Sequence, residues 1–215
     1  MKVNWPERFY CRSSVRKFAQ WREVGFFRAT HPIPAGAKVL EIGCGDGGGA
    51  GIFSKAFAPG LYHGLDVDPA MIKVAAGRRQ GPLGRNSLFV LGDAEHLPYR
   101  DNAFDAVVNF GIIHHLPDWR AGIAEVARVL RPGGAFYFEE IYPLLYANPL
   151  FRVMLAHPRE NRFHGPEFRA ALDAEGLALL PGFHESRLFI LGVAIKTMPP
   201  PIIRINPSRS RRTLL

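Results

Sequence analysis

Val39-Leu40-Glu41-Ile42-Gly43-Cys44-Gly45-Asp46-Gly47-Gly48 is the stretch on which the reading of this chain turns. Its first residues read as a buried strand, apolar except for Glu41. Glycines at 43, 45 and 47 or 48 allow positive φ and remove the Cβ atoms that would hold a ligand away. A helix then opens with unpaired N–H groups and a positive dipole end facing the turn. A parallel α/β sheet builds nucleotide-type sites in this way, at the carboxyl ends of its strands.

Gly43, Gly45 and Gly48 also satisfy G-x-G-x-x-G, and Asp66 ends the next apparent strand, where a carboxylate accepts from two ribose hydroxyls. By themselves these residues suit NAD as well as S-adenosylmethionine, so the rest of the chain has to decide.

Outward from the turn, the rhythm is regular. Strands read at about 38–42, 61–65, 87–91, 104–110 and 135–141, with helices near 47–57, from Pro69 toward Arg79, and from Pro117 to Arg131. In the last of these, Ile123, Val126, Ala127 and Leu130 make an apolar face at helical spacing. Alternating strands and helices imply right-handed crossovers and a parallel sheet covered on both faces. Leu177–Phe183 and Arg187–Lys196 read as two antiparallel neighbours, after a short helix opened by Gly165-Pro166 with Phe168, Ala171 and Leu172 inward.

The expected organisation is a helical preface over 1–36, a main domain over 37–196 and a basic, proline-containing tail over 197–215. In the preface, Ser13 or Ser14 caps a helix to about Thr30, with Phe18, Trp21, Val24 and Phe27 on one side. That helix either packs on the core or lids the pocket, with Tyr10, Trp21 and Phe26 as candidate pocket residues. Residues 142–164 interrupt the rhythm with aromatic and apolar residues and read as a substrate cap. Tyr142, Tyr146, Phe151, Arg152 and His164 are its candidate contacts.

The 215 residues carry a net charge of +8, placed unevenly. Residues 1–36 and 196–215 each carry +5, and the body between them carries −2. Basic ends suit nucleic acid, an anionic membrane surface or simple solvation. Cys11 and Cys44 have no metal-ligand spacing and read as free thiols in a reducing compartment. With no apolar run near the roughly 20 residues that span a bilayer and no secretory pattern at the start, the expectation is a cytoplasmic protein.

Four ordered stretches resemble the class I S-adenosylmethionine-dependent methyltransferases, in particular the small-molecule branch that includes the ubiquinone/menaquinone C-methyltransferases. They are Glu41–Gly47; His63-Gly64-Leu65-Asp66-Val67-Asp68-Pro69-Ala70-Met71; Gly92-Asp93-Ala94-Glu95-His96-Leu97-Pro98-Tyr99; and Phe104–Val108 with His114-His115-Leu116 and Glu125–Gly134. The resemblance implies a Rossmann-like α/β sheet of seven strands, mostly parallel with an antiparallel last strand, and helices on both faces. It implies S-adenosyl-L-methionine as cofactor and S-adenosyl-L-homocysteine as product. Asp66 would take the ribose hydroxyls and Asp93 the adenine amino group, with the Ala94 N–H meeting the ring. Gly43 and Gly45 would lie against the methionine arm and Glu41 near its ammonium end. Met71 and Phe110 complete the implied cofactor set, while Asp68 reads as a helix cap and Cys44 as small filler. No metal is implied.

Displacement at a sulfonium needs alignment and exclusion of water more than a covalent nucleophile. A base matters only for a protonated acceptor, and His114, His115 and Tyr142 are the candidate catalytic residues. Tyr142 and Glu140 are expected at the pocket mouth, with only one of Glu139 and Glu140 facing inward. The apolar cap implies a small aromatic or lipid-like acceptor. The competing readings are a nucleic-acid methyltransferase using the basic ends and a non-catalytic cofactor-binding module. Against the former, the place after strand four reads Asn109-Phe110-Gly111-Ile112, without the proline pair of base-amino methylating enzymes. Peripheral membrane contact is compatible with the basic ends, and the sequence carries no signal for an oligomeric state.

Overall fold

The structure, a computed structural model, describes residues 13–78, 84, 86–146 and 160–198. Helix α1 (Ser14–Thr30) precedes a βα alternation of β1 (Lys38–Ile42), α2 (Gly48–Phe57), β2 (Leu61–Asp66), α3 (Pro69–Gly77) and β3 (Ser87–Leu91). Then follow β4 (Phe104–Phe110), a 3-10 turn (Ile113–His115), α4 (Trp119–Val129), β5 (Leu130–Ile141) and α5 (Pro143–Tyr146). The described chain closes with α6 (Gly165–Ala174), β6 (Leu177–Leu179), β7 (His184–Glu185) and β8 (Phe189–Lys196).

The strands form one sheet in the order β3-β2-β1-β4-β5-β8-β6, with β7 paired to β8. β1 through β5 are parallel, and β8 runs antiparallel between β5 and β6. This is the α/β Rossmann-like architecture. It differs from the expected seven strands in one respect: Leu177–Phe183 is not a single strand. Gly182, at φ 89°, turns the chain after β6, and the two-residue β7 re-pairs with β8 beyond it. β5 also begins earlier than Ala135. Leu130 already pairs with Phe104, and Arg131-Pro132-Gly133-Gly134 bulge out before Ala135 meets Ala106.

Residue alternation along the strands sends side chains into two cores. Leu40, Ile42, Val107, Phe136 and Phe138 meet α4 and α6 through Trp119, Ile123, Val126, Phe168 and Leu172. Val39, Tyr62, Val108 and Tyr137 meet α1 and α2 through Val24, Phe27, Ala50 and Phe53. Three helices start at side-chain caps: the Ser13 Oγ accepts from Arg16 N for α1, Asp68 from Ala70 N for α3, and Asp118 from Arg120 N and Ala121 N for α4.

The helix α1 corrects one expectation. Its buried side is Arg16, Glu23, Val24 and Phe27, whereas Phe18 and Trp21 face outward at 61% and 64% exposure. Arg16 and Glu23 can be buried because they neutralise each other, with 2.6 Å between Nη1 and Oε1. Tyr10, Cys11, Phe151, Arg152 and the 197–215 tail beyond Met198 lie outside the described residues, as does most of the 142–164 cap.

Candidate active site

The chain runs from β1 outward to β2 and β3, then returns past β1 to β4. Neighbouring loops therefore diverge above β1 and β4, the place where such sheets open a crevice. The turn after β1 supplies its floor. Gly43 and Gly45 take φ of 67° and 52°. A Cβ on Gly43 would overlap the Ile112 side chain from the turn after β4, so only glycine lets these two turns close on each other. A Cβ on Gly45 would meet nothing and would project into open space. That open space is what a ligand arm needs.

Two adjoining cavities fill the crevice and share Gly43, Asp66, Ile112 and His115. The first is lined by Asp66, Asp93, Ala94 and Leu116 among others. The second is lined by Arg16, Gln20, Glu41, Gly45, Asp46, Met71 and Phe110 among others. Glu41, Gly43, Gly45, Asp66, Met71, Asp93, Ala94 and Phe110 thus all face one crevice, with Asp66 at the junction. Arg16, Gln20 and Ile112 also line it, and sequence reasoning did not single them out.

Backbone amides hold the acids at the first end. Asp66 accepts from Gly45 N through Oδ2 and from Asp68 N through Oδ1, both at 2.8 Å. Burial raises its pKa, and these two amides oppose the shift. Asp93 is exposed and accepts from Glu95 N at 2.9 Å. The cap expected of Asp68 is present, at 2.9 Å from Ala70 N, although Asp68 also borders this cavity.

Buried side chains make the second end. Glu41 accepts from the Tyr62 hydroxyl at 2.9 Å, and burial pushes it up to about 8. Arg16 bridges Glu23 and Glu139 and donates to the Phe110 carbonyl at 3.1 Å, tying α1 to the tips of β4 and β5. Burial pushes Glu139 up to about 8 against the pull of Arg16. Glu41, Asp46, Asp66 and Arg16 all line this cavity; Asp46 is paired with Arg78 at 2.7 Å, and Glu41, raised to about 8, holds its proton at neutral pH. The Cys44 thiol is buried and its pKa is raised by that burial, so it stays protonated and is no nucleophile.

The two histidines have different surroundings. His115 lines both cavities. His114 is buried against Glu140, with Nδ1 2.6 Å from Oε2 and its ring 4.2 Å from that of His115. Glu140 also accepts from Asn109 Nδ2 at 2.5 Å and from Ile113 N at 2.7 Å. Burial pushes Glu140 up to about 7 and His114 down to about 3, so the imidazole is neutral. Once Glu140 is ionised, His114 holds its proton on Nδ1, toward the carboxylate.

Two expectations fail here. Glu139 and Glu140 alternate to opposite faces of the sheet, and neither lines the cavities: Arg16 pairs with Glu139 on one face, while Asn109 and His114 bury Glu140 on the other, away from the mouth. Tyr142 is not at the mouth; it is packed in the core beside Phe163, and its hydroxyl donates to Glu185 at 3.0 Å. Of the described cap residues, Tyr146 stacks on His114 at 5.5 Å, and His164 starts α6, its backbone N–H donating to Glu167. Among the described residues no cluster of His, Cys, Asp or Glu is arranged to hold a metal ion.

Comparison with known proteins agrees with this geometry. Residues 40–138 match a family model described as a methyltransferase domain. Over 115 residues the chain is 43% identical to the phthiotriol/phenolphthiotriol dimycocerosates methyltransferase of Mycobacterium leprae, covering 54% of this chain and 42% of that one. It is 44% identical over 108 residues to a fatty-acid O-methyltransferase of Mycolicibacterium smegmatis, covering 50% and 38%. The matches thus span under half the length of these curated relatives. Among solved structures, the YcgJ protein of Bacillus subtilis superposes with a TM-score of 0.69 at 25% identity, covering 83% of this chain and 99% of that one. A SAM-dependent methyltransferase of Aquifex aeolicus shares the fold with a TM-score of 0.71 at 16% identity, covering 89% and 98%.

Proposed function

From the premise that residues 40–138 carry a methyltransferase domain, we propose that this chain transfers a methyl group from S-adenosylmethionine to a lipid-like acceptor. The observation that carries the reading is one crevice with Asp66 and Asp93 on its rim and a bare glycine turn beneath it. The residues present fit the cofactor. Asp66 and Asp93 offer acceptors to the ribose and adenine, and Gly45 leaves room for the methionine arm. Arg16, which lines that end, is suited to the arm's carboxylate.

The cofactor supplies a methyl group on sulfur that is already an activated leaving group. The chain's own work is to orient and to exclude water, which can be worth on the order of 7–11 kcal/mol. Phe110, Ile112 and Leu116 give the crevice apolar walls, and α1 covers its second end through Arg16 and Gln20. His115 is the histidine positioned to take a proton from an acceptor hydroxyl. His114, held by Glu140, lies tilted against it at 4.2 Å and fixes its ring. The lipid-like acceptor is inferred from the named activities of the relatives.

Calorimetry with S-adenosylhomocysteine, followed by transfer of labelled methyl to long-chain fatty acids and hydrophobic phenols, tests the proposal. Cofactor binding with labelled lipid product supports it. Cofactor binding with labelled nucleic acid as the only product would redirect it to the alternative acceptor.

A further inference from the structure

The outward face of α1 has no partner among the described residues and an unusual composition. Val15, Phe18 and Trp21 are 69%, 61% and 64% exposed, and the Phe18 and Trp21 rings stack at 6.1 Å. Single exposed apolar side chains are ordinary, but three on one helical stripe, two of them aromatic, are not.

Their setting is specific. At about 100° per residue, Trp21, Gly25, Phe18 and Ala29 fall in the middle of the exposed arc. Lys17 and Arg28 fall at one margin, and Arg22 falls toward the other, next to Val15. All three cations are exposed, and none is in an ion pair among the described residues. The helix has one acid, Glu23, and it is buried against Arg16, so the outward face carries no negative charge.

We propose that this face of α1 lies on an anionic lipid bilayer. Phe18 and Trp21 enter the headgroup boundary, where amphipathic rings are favoured. Lys17, Arg22 and Arg28 reach from the margins of the stripe to lipid phosphates. No described helix is long and apolar enough to cross a membrane, so the contact is peripheral. The same turns of α1 that present Val15, Phe18 and Trp21 outward present Arg16 and Gln20 to the crevice. Docking on this face therefore puts the crevice beside the lipid surface. This inference stands on the helix face and does not depend on methyl transfer.

The test is co-sedimentation of the full chain with vesicles of phosphatidylcholine alone or mixed with phosphatidylglycerol, at low and near-physiological salt. Binding is expected to the anionic vesicles and to weaken with salt. Phe18→Glu with Trp21→Glu should weaken it by about tenfold or more, and Lys17→Glu with Arg22→Glu by about as much. Both pairs are exposed, so thermal unfolding and binding of S-adenosylhomocysteine should stay as in the wild type. Equal binding by wild type and both variants would overturn the proposal, as would binding to neither vesicle. Loss of self-association in the aromatic variant, with vesicles ignored by the wild type, would assign the face to a second copy and overturn it too.

Discussion

The two ends of the crevice hold their carboxylates by different means. At the Asp66–Asp93 end the acids are half-buried or exposed, and backbone amides close in sequence or across one turn orient them. At the Arg16 end Glu23, Glu41 and Glu139 have side-chain partners instead, Arg16 for two of them and the Tyr62 hydroxyl for the third. Arg16 reaches Phe110 and Glu139 across 94 and 123 residues of sequence. An acid held by amides has its ionised form favoured by fixed backbone donors, which at Asp66 oppose the rise caused by burial. An acid held by a buried side chain depends on that side chain and on pH.

Removing the cation should expose this difference most strongly. Arg16→Ala leaves Glu23 and Glu139 buried without their counter-charge, and loss of one partner from a buried pair costs about 3–5 kcal/mol. Chemical denaturation should show a loss of that size, and a loss under about 1 kcal/mol would remove the contrast between the two ends.

The contrast also explains what could be read from sequence. β3 and β4 occur where the sequence puts them, because a β-branched and aromatic run between turn residues has one good solution. The glycine turn, Asp66 and Asp93 were legible because each sits at the end of such a run. Arg16 was not. The apolar residues of α1 pointed to a Phe18–Trp21 face, and nothing local shows that an arginine finds two acids and a carbonyl only once β4 and β5 are in place. The burial of both Glu139 and Glu140 was hidden for the same reason. Alternation says that they point opposite ways, but the partners waiting on each side come from α1, β4 and the 3-10 turn.

The glycine turn offers a sharper internal test. Gly43→Ala meets both a positive φ and the Ile112 side chain, and should cost about 2–4 kcal/mol. Gly45→Ala bears only the backbone cost of about 1–2 kcal/mol, because its Cβ enters open space. The second substitution should therefore damage ligand binding more than folding. Equal destabilisation by the two, in paired denaturation curves, would contradict the assignment of that space to a ligand.

The pH profile probes the buried end without changing its cation. Glu41 is raised from its ordinary 4.5 to about 8, so between those values the folded chain holds a proton that the unfolded chain has released. Its contribution to stability is present below about pH 4.5 and is lost as pH rises toward about 8. Glu139 and Glu140 act in the same direction. Without ligand, the unfolding midpoint should fall across this window, and Glu41→Gln should flatten the fall by up to about 1.4 kcal/mol per pH unit. An unchanged slope would mean that Glu41 is not buried as described.

The central claim is that Asp66 and Asp93 serve one bound adenosine, and titration of S-adenosylhomocysteine by calorimetry tests it most directly. The wild type should bind. Asp66→Ala should weaken binding by about 30- to 100-fold, the worth of hydrogen bonds to a charged acceptor. Asp93→Ala, at the exposed edge, should weaken it less, by about 5- to 10-fold. A wild-type chain that ignores S-adenosylhomocysteine and binds NAD, or an Asp66→Ala variant that binds as well as the wild type, would contradict the account.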